Sequence, residues 1–270
     1  MRLFLIMIVC FLQVNCANSS NTDTKEKPKA QVEVSKEDFS VDFKDNLLED
    51  IQQKIMDAFV SSVIAKNPKA LTELETKLED LYKDKKQDLI LYWIGYLDYY
   101  KSIYYYELKQ SRLSEEAVTD GINKIKQIKN KNTEYYAILG LLENFSLQYA
   151  RGMNAMTLSK SVKENADMAM NLDANNVRAY YVAAVNDYYT PVDFGGKKKA
   201  EKLLLKAISL PAQKVKNNYM PSWGKEESYE LLIKFYLNSG NKEKAKEIYQ
   251  KGIKEYPDSY LLKELASKLI

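Results

Sequence analysis

From Phe39 to the C-terminus, apolar residues recur at three- and four-residue spacing in almost every segment. No strand-like alternation stands out. That period commits the chain to helices, and the prolines and turn glycines between the runs divide it into pairs. The pattern predicts helices over 40–66 and 68–86, 88–109 and 113–130, 133–150 and 154–172, 176–189 and 197–210, and 225–239 and 241–256, with a final helix over 258–269. Amphipathic pairs of this kind cannot bury their apolar stripes alone, so neighbouring pairs must stack.

The last pair carries the most specific pattern: ESYELLIKFYLNSGNKEKAKEIYQKGIKEYPDS. Large residues stand at Tyr229, Leu232 and Tyr236 on its first helix. Ala245, Tyr249 and Gly252 follow on the second, and Pro257 closes it. The small residues let two helices approach closely, and the large ones fill the wedge beside them. In residue class and spacing this segment resembles the tetratricopeptide repeat (TPR), a helix–turn–helix unit of about 34 residues. Ile233 departs from the pattern, standing where that family prefers glycine or alanine. Weaker copies lie upstream. NLDANN (171–176) resembles the closing turn of the repeat, and Gly95, Gly140 and Ala183 occupy further close-approach positions. Their spacing exceeds that of the strict repeat.

The resemblance implies an all-α, right-handed α-solenoid of about five TPR-like hairpins over residues 39–270, with a C-terminal capping helix and a curved groove. The order YTPVDFGG, a lysine- and alanine-rich helix, PSWG and then the strict repeat resembles exported TPR proteins of Gram-negative envelopes. That group has no firmly assigned activity; related exported repeat proteins act as scaffolds or as periplasmic partners of transporters and outer-membrane assemblies, and the resemblance implies a role of that kind.

Composition narrows the chemistry. The chain has no histidine, and its two cysteines, Cys10 and Cys16, fall at the extreme N-terminus. No Ser-His-Asp triad, Cys-His pair or imidazole metal site can be assembled. No catalytic, cofactor or metal-ligating residue is assigned, and a non-enzymatic role is expected. Net charge is +3, and arginine is limited to Arg2, Arg112, Arg151 and Arg178. A chain so poor in the planar guanidinium fork is a poor match for nucleic acid.

Residues 1–17 read as an export signal: Arg2, then an apolar run from Leu3 to Leu12, too short for a permanent span. Two endings compete, a signal-peptidase cut near Ala17 or acylation of Cys16 as a lipoprotein. The polar stretch 18–38 reads as a disordered tether. The expected address is the periplasm or the outer membrane, with contact to lipid only through an anchor at Cys16.

Three further features invite functional readings. YYTPVDFGGKKKA (188–200) lacks the glycine and hydroxyl positions of a P-loop and reads as a connector. Phe194 should pack beneath it, and Lys197, Lys198 and Lys199 should form the first turn of the next helix. Those lysines are either an anion site or a solvated face. The 21 tyrosines cluster in YWIGYLDYYKSIYYYE, where Tyr92, Tyr99 and Tyr106 share a face that is either core or groove lining. The adjacent pairs Glu115-Glu116 and Glu226-Glu227 read as helix caps. Together these features predict a non-catalytic scaffold that holds a protein or peptide partner in the solenoid groove. The alternative is a ligand-handling accessory protein with a tyrosine-lined cavity.

Overall fold

The computed structural model describes residue 39 and residues 44–211 and 218–269. The leader over 1–17, Cys16 and the tether over 18–38 lie outside the described residues. The described chain is all-helical. Five hairpins pair α1 (Ile51–Ala65) with α2 (Lys69–Lys85), α3 (Asp88–Glu107) with α4 (Ser111–Lys126), and α5 (Thr133–Ser146) with α6 (Gly152–Leu172). Then come α7 (Val177–Tyr189) with α8 (Ala200–Ser209) and α9 (Lys225–Asn238) with α10 (Lys242–Glu255). A short α11 (Tyr260–Lys263) packs on α9 and α10.

The first helix of each hairpin packs on the first helix of the next, from α1 through α9. Each second helix lies between its own partner and the following hairpin. This stacking makes the solenoid that the repeat resemblance implies. The largest departures from the expected boundaries are at the two ends of the described chain. The first helix begins at Ile51 because Asp45 accepts a hydrogen bond from the Leu47 amide (2.7 Å) and Asp50 is left-handed (φ 50°), which together hold a turn. The expected closing helix divides into α11 and a 3-10 turn over Ala266–Lys268.

Small residues set the helix separations. A Cβ on Gly95 would lie 2.5 Å from Ile125 Cδ1, and one on Gly121 would lie 2.9 Å from Asp98 Cβ. These two glycines face each other where α3 crosses α4. Gly140 brings α5 equally close to Val182 of α7. Gly252 lies against the Tyr229 ring and Leu262, so the strict repeat at the C-terminus packs by the same rule. Its other marked residues, Leu232, Tyr236 and Ala245, are buried.

The first helices are apolar on nearly every face. From Leu89 to Leu97, α3 is buried throughout, whereas α4 buries only a stripe through Ser114, Ala117, Val118, Gly121 and Ile125. An inner helix of this kind needs cover on its concave side, and the α8–α9 connection supplies it. Trp223 Nε1 donates to the Tyr92 hydroxyl (2.7 Å), and the Trp223 ring stacks on Tyr96 at 5.8 Å. Trp93 Nε1 donates to the Tyr219 carbonyl (2.8 Å). Gln52 of α1 accepts from the amides of Ser222 and Trp223. Burying Trp223 alone removes enough surface to contribute roughly 4–6 kcal/mol.

A buried ion pair holds this plug in place. Arg178 donates through Nε and Nη2 to both Glu134 oxygens (2.5 Å each), and through Nη1 to the Trp223 carbonyl (3.3 Å). Asn176 also donates to Glu134 (2.7 Å) and to Thr133 (2.9 Å). The paired carboxylate holds the Arg178 guanidinium pKa up against the opposing effect of burial.

Two outcomes follow. Gly121→Leu forces α3 from α4 and should cost about 1–3 kcal/mol in urea unfolding; an unchanged midpoint would show that the crossing is not tight. Arg178→Met leaves Glu134 buried without its cation and should cost about 3–5 kcal/mol, whereas Arg178→Met with Glu134→Leu should recover much of that loss. A loss in the double variant equal to the sum of the two single losses would mean that the pair is not coupled.

Candidate functional site

The plug occupies the N-terminal halves of the first helices, around Gln52, Tyr92, Tyr96, Glu134 and Arg178. Toward their C-terminal halves a cleft remains, enclosing about 480 Å³ with the solvent at its mouth. Four successive first helices build it. Tyr99 comes from α3; Leu141, Asn144 and Phe145 from α5; Tyr181, Val185 and Tyr189 from α7; and Glu230, Leu231 and Lys234 from α9. The positions recur because residues three, four and eight apart share one helical face. On α7, Tyr181, Val185 and Tyr189 form a single stripe one turn apart.

The walls are braced by ring contacts. Tyr99 meets Phe145 edge-on at 5.6 Å, and Tyr106 meets the same ring at 6.1 Å. Tyr181 stands edge-on to Trp223 at 6.3 Å, which makes the plug a neighbour of the cleft. The polar groups are few. Asn144 and Asn186 amides lie 3.5 Å apart, and Lys234 donates to Glu230 at 2.6 Å. Burial pushes the phenols of Tyr99, Tyr181 and Tyr189 well above the usual tyrosine range, and the carboxylates of α9 add to this. At neutral pH they are protonated hydroxyls, able to donate as well as accept.

One turn before Glu230 on the same face sits Glu227. Its carboxyl accepts from the Gly224 amide (2.6 Å) as a helix cap. Burial pushes it up to about 7, with Glu226 and Glu230 adding repulsion and backbone N–H groups opposing. Glu226-Glu227 therefore does cap a helix, as the sequence predicts. Glu115-Glu116 does not: both fall beyond the first turn of α4, and Glu116 pairs with Arg112 (2.7 Å).

Of the three candidate groove aromatics, Tyr99 lines the cleft, Tyr106 packs beside it, and Tyr92 is fully buried against Trp223. The face they share on α3 thus runs from core into cleft. Phe145, Tyr181, Tyr189, Glu230 and Lys234 were not singled out in the sequence. Their signal was present in the first-helix periodicity, but nothing in one segment says which stripe meets which across three hairpins. Tyr249 is partly buried in the C-terminal cluster, and Pro257 is exposed just beyond α10.

The lysine run lies outside the cleft. Lys197, Lys198 and Lys199 precede the helix, which starts at Ala200, and Lys197 is left-handed (φ 60°). The amides of Lys199 and Ala200 both donate to Asp187 Oδ2 (2.8 Å), so the anion at this helix start is the protein's own carboxylate. Phe194 does not pack beneath the connector; it is 67% exposed. The tight turn at Gly196, where a Cβ would meet the Thr190 carbonyl oxygen at 2.0 Å, directs the residues before it outward.

Among the described residues no cluster of His, Cys, Asp or Glu could hold a metal ion, and no helix is long and apolar enough to cross a membrane. No family model and no curated protein matches the chain. Similar solved structures include a thermophilic TPR protein of Thermus thermophilus, at 15% identity and a TM-score of 0.51, covering 80% of this chain and 98% of that one. Another is the HusA haemophore of Porphyromonas gingivalis, at 22% identity and a TM-score of 0.51, covering 68% of this chain and 92% of that one. The chain thus shares a TPR-like helical solenoid fold with proteins of distant sequence.

Proposed function

We propose that this protein is a non-catalytic binding protein that seats a small, largely apolar and aromatic ligand in its tyrosine-lined cleft. The observation that carries this reading is the division of the concave face. Its N-terminal half is filled by Tyr219 and Trp223, and its C-terminal half is left as a shallow, aromatic-lined cleft open to solvent. A protein segment in an open groove has less to support it, because such a segment would need the surface that the plug covers. The cleft offers flat rings for stacking and a few hydroxyl and amide groups for orientation. It holds no nucleophile activated by a base, and its lysine is tied to Glu230.

A planar macrocycle suits such a surface. One structure of similar fold is a haemophore, which makes haem the first probe to use. The chain has no histidine, and burial holds the three phenols protonated, so recognition would rest on ring stacking rather than on ligation of iron.

The test is titration of the purified full-length protein with haem and with metal-free protoporphyrin, followed by absorbance and by quenching of Trp223 fluorescence. Saturable binding of at least one is expected. Replacement of Tyr99, Tyr181 and Tyr189 together by Ala should weaken it tenfold or more. Absence of saturable binding by both, or equal binding by the triple variant, overturns the reading.

The Glu227 carboxyl adds a pH signature. Its folded pKa is about 7, above the ordinary value, so the folded state holds a proton that the unfolded chain releases. Its contribution to stability is full below about pH 4.5 and is lost as pH rises through about 7. Glu227→Gln should therefore gain stability relative to the native sequence as pH rises from 5 to 8 in urea unfolding. A difference constant across that range would place the Glu227 pKa at its ordinary value.

A further inference from the structure

Each first helix ends at one end of the stack, where the chain turns into the second helix. Where α6 begins and α7 ends, four large apolar side chains of that rim remain in water. Met153 (80% exposed) and Met156 (66%) lie on one face of the opening turn of α6. Val192 (61%) and Phe194 (67%) lie in the short 3-10 turn after α7. Because α6 runs antiparallel to α7, its start and the end of α7 lie together, and Ser159 touches Asn186 across them (3.5 Å).

This exposure is built. The turn is tied at its base by Asp187, which accepts from Lys199 and Ala200, and its carbonyl accepts from the Lys197 amide (2.7 Å). The Gly195 and Gly196 amides close back on Val192 and Pro191. A segment held this firmly could have placed Phe194 inward, and instead it projects outward. Exposed apolar groups held in place in this way mark contact surfaces.

The charge around them is mostly positive. Arg151 precedes Met153, and Lys197, Lys198 and Lys199 follow Phe194, all exposed. Among the described residues no carboxylate is ion-paired with any of the four. Arg151 instead donates to the carbonyls of Gln148 and Ala150 (2.9 Å each). Asp193 is the acidic residue within the turn.

We propose that this rim docks on a lipid surface bearing anionic headgroups. Phe194, Val192, Met153 and Met156 enter the interface, while Arg151 and the three lysines lie at headgroup level. Protruding apolar side chains from two separate elements, flanked by unpaired cations, match a fluid anionic surface, which needs no complementary pockets. Each cation near such a surface strengthens binding by roughly fivefold. The docking requires neither an acyl group at Cys16 nor the ligand reading of the cleft.

The test uses the full chain with Cys10→Ser and Cys16→Ser, which leaves no native thiol and no acylation site. A nitroxide is attached through Asp193→Cys at the rim or through Asn175→Cys on the exposed turn at the opposite end. On vesicles of phosphatidylglycerol with phosphatidylcholine, the label at 193 should become shielded from an aqueous quencher, and the label at 175 should stay accessible. Pure phosphatidylcholine should give little shielding. Replacing Lys197, Lys198 and Lys199 together by Glu should lower partitioning on the order of 100-fold, and Phe194→Ser should lower the shielding at 193. A label at 193 that stays in water, including on vesicles that hold the protein through another segment, overturns the proposal. So does equal shielding at 193 and 175, or shielding unchanged by the lysine replacement.

Discussion

The fold depends on covering the concave side of its inner helices. A helix as apolar all round as α3 is stable only when packed between neighbours. Hairpin stacking buries three of its sides, and the fourth needs a segment from elsewhere. Trp223 and Tyr219 provide that segment, reaching from the α8–α9 connection to Trp93 and to Gln52 of α1. The consequence is architectural. In a simple repeat array each unit touches only its neighbours, and stability sums along a line. Here hairpins far apart in sequence share one core, so α1 and α3 are tied to the region just before α9. Formation of that contact closes a long loop, which costs entropy before the Trp223 stacking returns it. The Glu134–Arg178 pair marks the same junction. It joins the N-termini of α5 and α7 beneath the plug, and its worth lies in fixing position as much as in stability.

The helical hairpins were legible because they follow from local period and from turn residues. The glycines at 95, 140 and 252 could be read as close contacts from sequence, and each would clash with a neighbour if it carried a Cβ. The start of α1 was not legible. Apolar spacing runs through Leu47 and Leu48, but the side chain of Asp45 and the left-handed Asp50 hold that stretch as a turn. Phe194 was misplaced for a different reason. Aromatic residues in connectors usually pack inward, and only the geometry at Gly196 and Asp187 shows this one turned out. The plug was the largest omission. PSWG was visible as a motif, yet its target lies more than 120 residues away on α1 and α3, and no local pattern encodes that distance. The cleft followed the same fate, because it exists only where the plug stops.

The plug and the cleft divide the concave face along the helix axes. Tyr92, Tyr96 and Arg178, near the N-terminal ends of α3 and α7, are covered. Tyr99 and Tyr189, farther along α3 and α7, line the cleft and stay partly exposed. The covered end has its hydroxyl and guanidinium groups committed to internal partners. The free end carries protonated phenols beside one internal ion pair. Under the proposed reading, a ligand there would meet a nearly neutral, aromatic surface and displace little bound charge, which favours apolar recognition over electrostatic capture. This end is also the one whose rim presents Phe194, Val192, Met153 and Met156. An apolar ligand partitions into lipid, and a cleft opening near a lipid-docked rim would shorten its path through water. The physical link is the shared direction of the first helices. Their antiparallel partners force every outward turn to one end, and among the described residues the plug leaves that end of the concave face open.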